Sequence, residues 1–274
     1  MTAFDIVMLA VSLLFGTACT AWLTNRFDLR KPNFRGVRIP YVAGLVFVLT
    51  ASFDFAISWI FDGAHAGSKL AYIVAVLGFG VLGFWDDIAG DRSVGGFRGH
   101  INALRSGKVT TGAIKMFGGG LISGVCALML WYPYVGHCLV AWLLIPLCAN
   151  TLNLLDLRPG RCLFGFLVMS AVSLIALAVQ GQIPVAYFLT IAIAVAVCLY
   201  ALDASGKIMI GDTGSNAFGA FAGVAFALYV PIGWQIAIVA ALVGLNLWCE
   251  SHSLSRLIEG NAVLRSIDRK IGVR

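Results

Sequence analysis

Ile208-Met209-Ile210-Gly211-Asp212-Thr213-Gly214-Ser215-Asn216 is a polar hinge set between two long apolar runs. An ionised carboxylate placed in hydrocarbon costs roughly 3 kcal/mol or more, so Asp212 is a poor filler for a lipid-facing segment. The small glycines let backbone come close to a ligand, and Asp212 offers hard oxygens to a cation. Thr213, Ser215 and the free N–H groups of a starting helix can meet anionic oxygens. The stretch reads as a metal and phosphate site at a membrane surface.

The flanking sequence places that hinge in a membrane. Of 274 residues, 60% are hydrophobic and 12% charged, with a mean hydropathy of +0.91, well outside the range of soluble domains. Apolar runs long enough to cross roughly 30 Å of hydrocarbon recur at about 3–24, 41–61, 69–85, 114–132, 138–154, 163–180, 185–203, 215–232 and 235–250. The expected fold class is therefore all-α: a polytopic helical membrane protein of about nine transmembrane helices. Residues 1–274 form one domain, with 251–274 an interfacial tail. The first run lacks the basic start and small-residue cleavage site of a secretory signal, so it is kept as a span. Cys19, Cys126, Cys138, Cys148, Cys162, Cys198 and Cys249 are scattered without a C-x-x-C pair and read as small packing residues.

Basic residues are lopsided. Arg26, Arg30, Lys31, Arg35 and Arg38 lie in the first loop, Arg92, Arg98, Arg105 and Lys108 in the third, and Arg158, Arg161, Lys207, Arg256, Arg265, Arg269, Lys270 and Arg274 in later members of the same alternating set. Only Lys69 falls on the other side. The positive-inside rule makes that set cytoplasmic, with the N-terminus outside and the tail inside. The net charge of +6 becomes a one-sided basic face suited to anionic membrane lipid or phosphate substrates, and no nucleic acid is expected.

Two further acidic motifs end on that face. The third span closes in Asp86-Asp87, adjacent carboxylates that a cation or proton would relieve of repulsion. A glycine-rich loop follows, with Lys108-Val109-Thr110-Thr111-Gly112 and Lys115, but no P-loop spacing, so nucleotide hydrolysis is not indicated. The fifth span ends in Asn150, Asn153 and Asp156. Three-residue steps turn a helix by about 300°, which keeps the three within an arc of roughly 120°. They are read as a ligand-facing stripe, against the alternative of interhelical hydrogen bonding, because Arg158 and Arg161 flank a Pro-Gly turn just beyond. Asp203 and Lys207, spaced i, i+4, are expected to form an exposed ion pair. Asp54 is read as structural, and His252 as either structural or a phosphate ligand. The tail from Leu254 to Ile271 is expected to be an amphipathic helix along the membrane surface.

The set and order Asp86-Asp87, Asn150-x-x-Asn153-x-x-Asp156 and Gly211-Asp212-Thr213-Gly214-Ser215 resemble the polyprenyl-phosphate N-acetylhexosamine-1-phosphate transferases, over about residues 20–256. The resemblance implies a bacterial inner-membrane enzyme that moves a sugar-1-phosphate from a nucleotide sugar, in that family a UDP sugar, to undecaprenyl phosphate or a related polyprenyl phosphate. It implies release of the nucleoside monophosphate and a need for Mg²⁺, with Mn²⁺ as the alternative ion. By motif match Asp86, Asp87 and Asp212 are catalytic, and Asp212 and Asn153 are metal ligands. Asn150, Asn153, Asp156, Arg158, Arg161, Lys115 and His252 would bind substrate. The chain departs from the family where a Gly-x-Asn/Asp-Gly turn is replaced by Leu157-Arg158-Pro159-Gly160-Arg161, and where a triple histidine is missing. Those departures suggest a differently charged donor or acceptor and argue against a muramoyl-pentapeptide substrate. A homodimer is left open. The rival expectation is a non-catalytic transporter or lipid-binding protein on the same scaffold, for which internal repeats or midplane broken helices would speak.

Overall fold

The computed structural model describes residues 3–61, 66–90, 96–181 and 187–274 of the chain. Asp91, Arg92 and Gly95 of the third loop, and the join at 182–184, lie outside the described residues. Helix α1 (Ala3–Arg26) leads into a two-stranded antiparallel hairpin, β1 (Arg30–Pro32) and β2 (Arg38–Pro40). Then come α2 (Leu45–Phe61), α3 (Ala66–Ala89), the short α4 (Gly96–Arg105), α5 (Thr111–Trp131), α6 (Val135–Leu155), α7 (Arg161–Val179), α8 (Tyr187–Ala204), α9 (Gly211–Tyr229) and α10 (Ile232–Cys249). Two short helices, α11 (Leu254–Gly260) and α12 (Ala262–Ile271), finish the chain.

The fold is all-α and polytopic, as the composition requires. The number of helices long and apolar enough to cross a membrane, among the described residues, is seven rather than about nine. The two others have physical reasons to fall short. The apolar part of α2, Leu45–Ile60, is too short. Helix α9 opens with a polar turn, and nearly every residue from Thr213 to Tyr229 is buried. It is a core helix, which is why it tolerates Asp212, Thr213, Ser215 and Asn216.

Small residues let α9 sit that deep. A Cβ at Gly219 would strike the Ala149 backbone of α6, and one at Gly223 would fall 2.5 Å from the Cα of Ile145. Without a hydrophobic drive between helices in lipid, close backbone approach of this kind supplies the packing energy. Gly83 of α3 and Gly44 meet the α9 backbone in the same way, at the Asp212 carbonyl and at Gly214. Around this axis Phe47, Phe166, Phe218 and Phe221 form the aromatic centre, with Phe47 and Phe218 stacked at 4.0 Å. Helices α1 and α10 lie at the periphery, with most of their side chains left to lipid.

The alternating loops gather at one end. The hairpin was not expected, because its strands are three residues long and rich in basic side chains and proline. It is closed by Asn33, whose Oδ1 accepts from the Arg35 and Val37 amides, with Gly36 at φ +78. It is tied to the hinge before α9: Met209 N donates to Pro40 O at 2.8 Å, Ala43 N to Met209 O, Gly44 N to Ile210 O and Asn33 Nδ2 to Gly206 O.

Candidate active site

Three helix ends meet here because each element is stopped or started by a local device. Helix α5 begins at Thr110, whose hydroxyl caps the Ala113 amide and touches His100 Nδ1 at 2.8 Å. Helix α9 begins at Gly211, whose φ of +71 suits a residue without a side chain. A Cβ there would also collide with the Tyr41 carbonyl and the Asp87 carboxylate. Helix α6 gives way after Leu155, where Pro159 and a left-handed Gly160 turn the chain into α7.

At this end the Lys115 ammonium stands between two carboxylates. It lies 3.2 Å from Asp86 Oδ2 and forms a short ion pair with Asp212 Oδ2. Asp86 also accepts from Thr111 and lies within hydrogen-bonding reach of Asp212. Asp87 has a different task. Its Oδ1 accepts from Asp212 N at 3.0 Å, and its Oδ2 from Thr213 N at 2.8 Å and Thr213 Oγ1 at 2.6 Å. The free N–H groups at the start of α9 are thus capped by a carboxylate from another helix. The cluster is partly open to water, with side-chain exposures of 17% for Lys115, 22% for Asp86 and 29% for Asp212.

The Asn150–Asn153–Asp156 stripe divides. Asn150 is hydrogen-bonded to Asn246 of α10, which also donates to Thr151 Oγ1, so it serves as interhelical glue. Asn153 Oδ1 accepts from Ser215 Oγ at 3.1 Å, which sets it against the first turn of α9. Asp156 accepts from the Gly211 amide. Loss of water around Asp156, together with Asp203, Asp212 and Asp87 nearby, pushes its carboxyl well above the usual range. Asp156 and Arg158 line a small cavity with Asn33, Phe34, Gly206 and Met209.

Other expected residues are placed elsewhere. Arg161 is 3% exposed and its guanidinium is taken by Asp268, at 2.6 and 2.9 Å. His252 is exposed, stacks on Trp248 at 4.6 Å and contacts Ser251. The exposed ion pair expected between Asp203 and Lys207 is corrected: Asp203 is buried and accepts from the Gly160 amide at 2.9 Å. Burying a carboxylate is costly, and the Gly160 N–H offsets part of that cost by supplying a hydrogen-bond partner. Asp54, 1% exposed, accepts from Tyr187 Oη at 3.1 Å.

Lys31 and Tyr41 are the additions, and Thr213, expected to meet a phosphate, instead gives both its amide and its hydroxyl to Asp87. Lys31 Nζ donates to the Asp87 carbonyl at 2.6 Å and lies 4.1 Å from the Tyr41 ring centroid. In the sequence Lys31 is one of five basic residues in its loop, and nothing there separates it from the other four.

Among the described residues no group of three or more His, Cys, Asp or Glu side chains forms a ready metal cage. The donors at the cluster, Asp86 and Asp212, are hard oxygens, and Asn153, another oxygen donor, meets the first turn of α9 through Ser215. That set fits a Mg²⁺ ion, which commonly takes one or two carboxylates and completes its shell with water and substrate phosphates. The ammonium now between Asp86 and Asp212 marks a place where positive charge is stabilised. No protein-family model matches the chain, and a search of curated proteins finds no match.

Proposed function

We propose that this chain is a Mg²⁺-dependent phosphoglycosyl transferase, moving a sugar-1-phosphate from a nucleotide sugar to undecaprenyl phosphate or a related polyprenyl phosphate. The observation that carries the reading is Lys115 bridging Asp86 and Asp212, residues far apart in sequence and drawn from three helices. Two carboxylates about 4 Å apart repel by roughly 4 kcal/mol at an effective dielectric of 20, so such a pair is kept where a cation is part of the work.

In the reaction an oxygen of the polyprenyl phosphate attacks the phosphorus that bears the sugar. A new P–O bond forms, the bond to the nucleotide's other phosphate breaks, and the nucleoside monophosphate leaves. A Mg²⁺ held by Asp212, with Asn153 beside it, would neutralise the pyrophosphate and the leaving oxygen. Asp86 takes up any proton on the acceptor phosphate, and Lys115 offsets the charge of the approaching anions. Asp87 fixes the α9 terminus, so that Asp212 keeps one position through the reaction. Asp156 and Arg158 line a small cavity that would take part of the donor nucleotide. The basic loops at this end of the bundle support a cytoplasmic site in a bacterial inner membrane, with the N-terminus outside.

A transporter on this scaffold is less well supported, since the charged cluster lies at helix ends and not at mid-helix breaks. Purified protein should release labelled nucleoside monophosphate when given undecaprenyl phosphate, Mg²⁺ and the right member of a panel of nucleotide sugars. Asp212→Asn should insert and fold yet release none. Full activity in that variant would remove the metal assignment, and binding of donor without turnover in the parent would favour the non-catalytic alternative.

A further inference from the structure

The α6–α7 turn carries Asp156 and Arg158, and it is braced by the last segment of the chain. A Cβ at Gly160 would run into the Ile271 carbonyl, and one at Gly272 into the Pro159 carbonyl. Arg274 Nη1 donates to Pro159 O at 2.9 Å, and Val273 N to Ala204 O at 2.8 Å. Tyr200 Oη adds a bond to Ile271 O at 2.9 Å. Beneath these contacts Asp268 is gripped by two arginines: Arg161 through Nε and Nη2, and Arg274 through Nε and Nη2, each of the latter at 2.5 Å. Arg161 gives its remaining nitrogen to Ser255 Oγ at 2.9 Å.

Asp268 is the single buried residue of α12. On the neighbouring arc Val263, Leu264 and Ile267 are exposed, as suits a helix lying at a lipid interface. An interfacial helix needs no buried carboxylate for that role. Burying ions is costly and is repaid only by tight, fully bonded geometry, which makes such a cluster better suited to fixing one arrangement than to adding stability.

We infer that Asp268 is a positioning residue for the donor side of the site: through Arg161 and Arg274 it fixes the α6–α7 turn and thereby sets where Asp156 and Arg158 stand toward a nucleotide sugar. The inference deepens the transferase reading and rests on it for its kinetic consequence. Asp268 acts without touching substrate, and Arg161 belongs to this clamp.

The test uses the full chain in lipid nanodiscs, with Arg274→Ala and Asp268→Asn. Arg274→Ala removes the outer arginine and its Pro159 contact but leaves the buried Arg161–Asp268 pair, so it stays informative if Asp268→Asn does not fold. Hydrogen exchange over 157–162 should speed up by about tenfold in Arg274→Ala, and the donor KM should rise about tenfold, with kcat and acceptor KM within about twofold. Unchanged exchange and unchanged donor KM in a folded variant would overturn the clamp, as would a fall in kcat with the donor KM intact. A wild-type protein that turns over no nucleotide sugar defeats the transferase reading alone, and exchange over 157–162 then decides the clamp by itself.

Discussion

Asp87 and Thr213 join α3 to α9: one carboxylate oxygen receives both the backbone N–H and the hydroxyl of Thr213, at 2.8 and 2.6 Å, while the other receives Asp212 N. A side chain remote in sequence thereby does what an N-cap residue does locally. Removing such a cap costs about 0.5–2 kcal/mol, and hydrogen bonds to a charged group lie toward the upper end. Asp87→Ala is therefore expected to lower the melting temperature by several degrees and to reduce nucleoside monophosphate release by tenfold or more, because Asp212 loses its fixed place. Asp87→Asn, which keeps an oxygen, should fall between. An alanine variant that melts and turns over like the parent would show that the cap is idle.

In the proposed reaction a divalent ion would share Asp212 with Lys115, which already pairs with Asp86 and Asp212. With Lys115→Met the repulsion between Asp86 and Asp212 is no longer screened, so added Mg²⁺ should stabilise the variant more than it stabilises the wild type. A difference of about 1 kcal/mol corresponds to roughly 2–4 °C in a protein of this size. Transfer activity should nevertheless fall by about a hundredfold, since the fixed positive charge facing the phosphates is gone. The measurement is thermal unfolding with and without Mg²⁺, using Ca²⁺ as a control for general ionic effects. An equal Mg²⁺ response in variant and wild type would separate Lys115 from any metal site.

Close packing at Gly83 is a third point of leverage. Its Cα faces the Asp212 carbonyl of α9, where an added Cβ has no room. Gly83→Val should push the two helices apart, at a cost of roughly 1–3 kcal/mol. Asp86 and Asp87 sit one turn further along α3, so the activity loss should exceed what the stability loss accounts for. Gly120, where nothing lies within 4 Å of a built Cβ, is the control: Gly120→Val should leave both activity and melting nearly unchanged.

Apolar run lengths are enough to read the helical class, and the alternation of spans is enough to bring Asp86 and Asp212 to the same end, since both are one-dimensional properties. Helix ends were less legible. The apolar runs stop at about 85 and resume at about 215, whereas the helices continue past those limits, with Asp86 and Asp87 in the last turn of α3 and Asp212 in the first turn of α9. Polar residues lower the local hydropathy without stopping the helix, because their partners come from neighbouring helices. The same limit applies to Asn150 and Asn153, which share a face by spacing but turn to α10 and α9 respectively. Lys31 and Asp268 were not legible as site or clamp residues. Each gains its meaning from a partner at least 56 residues away, Asp87 for the one and Arg161, 107 residues distant, for the other.

Asp156 sets a pH dependence of definite sign. Desolvation first, and then Asp203, Asp212 and Asp87, raise its carboxyl pKa above the ordinary value, while the Gly211 amide opposes them. A carboxyl raised on folding favours the folded state below its unfolded pKa of about 3.9, and that contribution is lost as pH rises through the folded value. At neutral pH and above, the ionised group thus weighs against the fold. Asp156→Asn should melt a few degrees higher than the wild type near pH 8, with the gap closing as the pH falls toward about 4. Donor turnover should drop in the same variant, the exchange of stability for activity expected of a strained site. Melting curves across that range provide the check: a gap of constant size would assign the stabilisation to something other than charge, and a wild type more stable than the variant at pH 8 would reverse the sign of the argument.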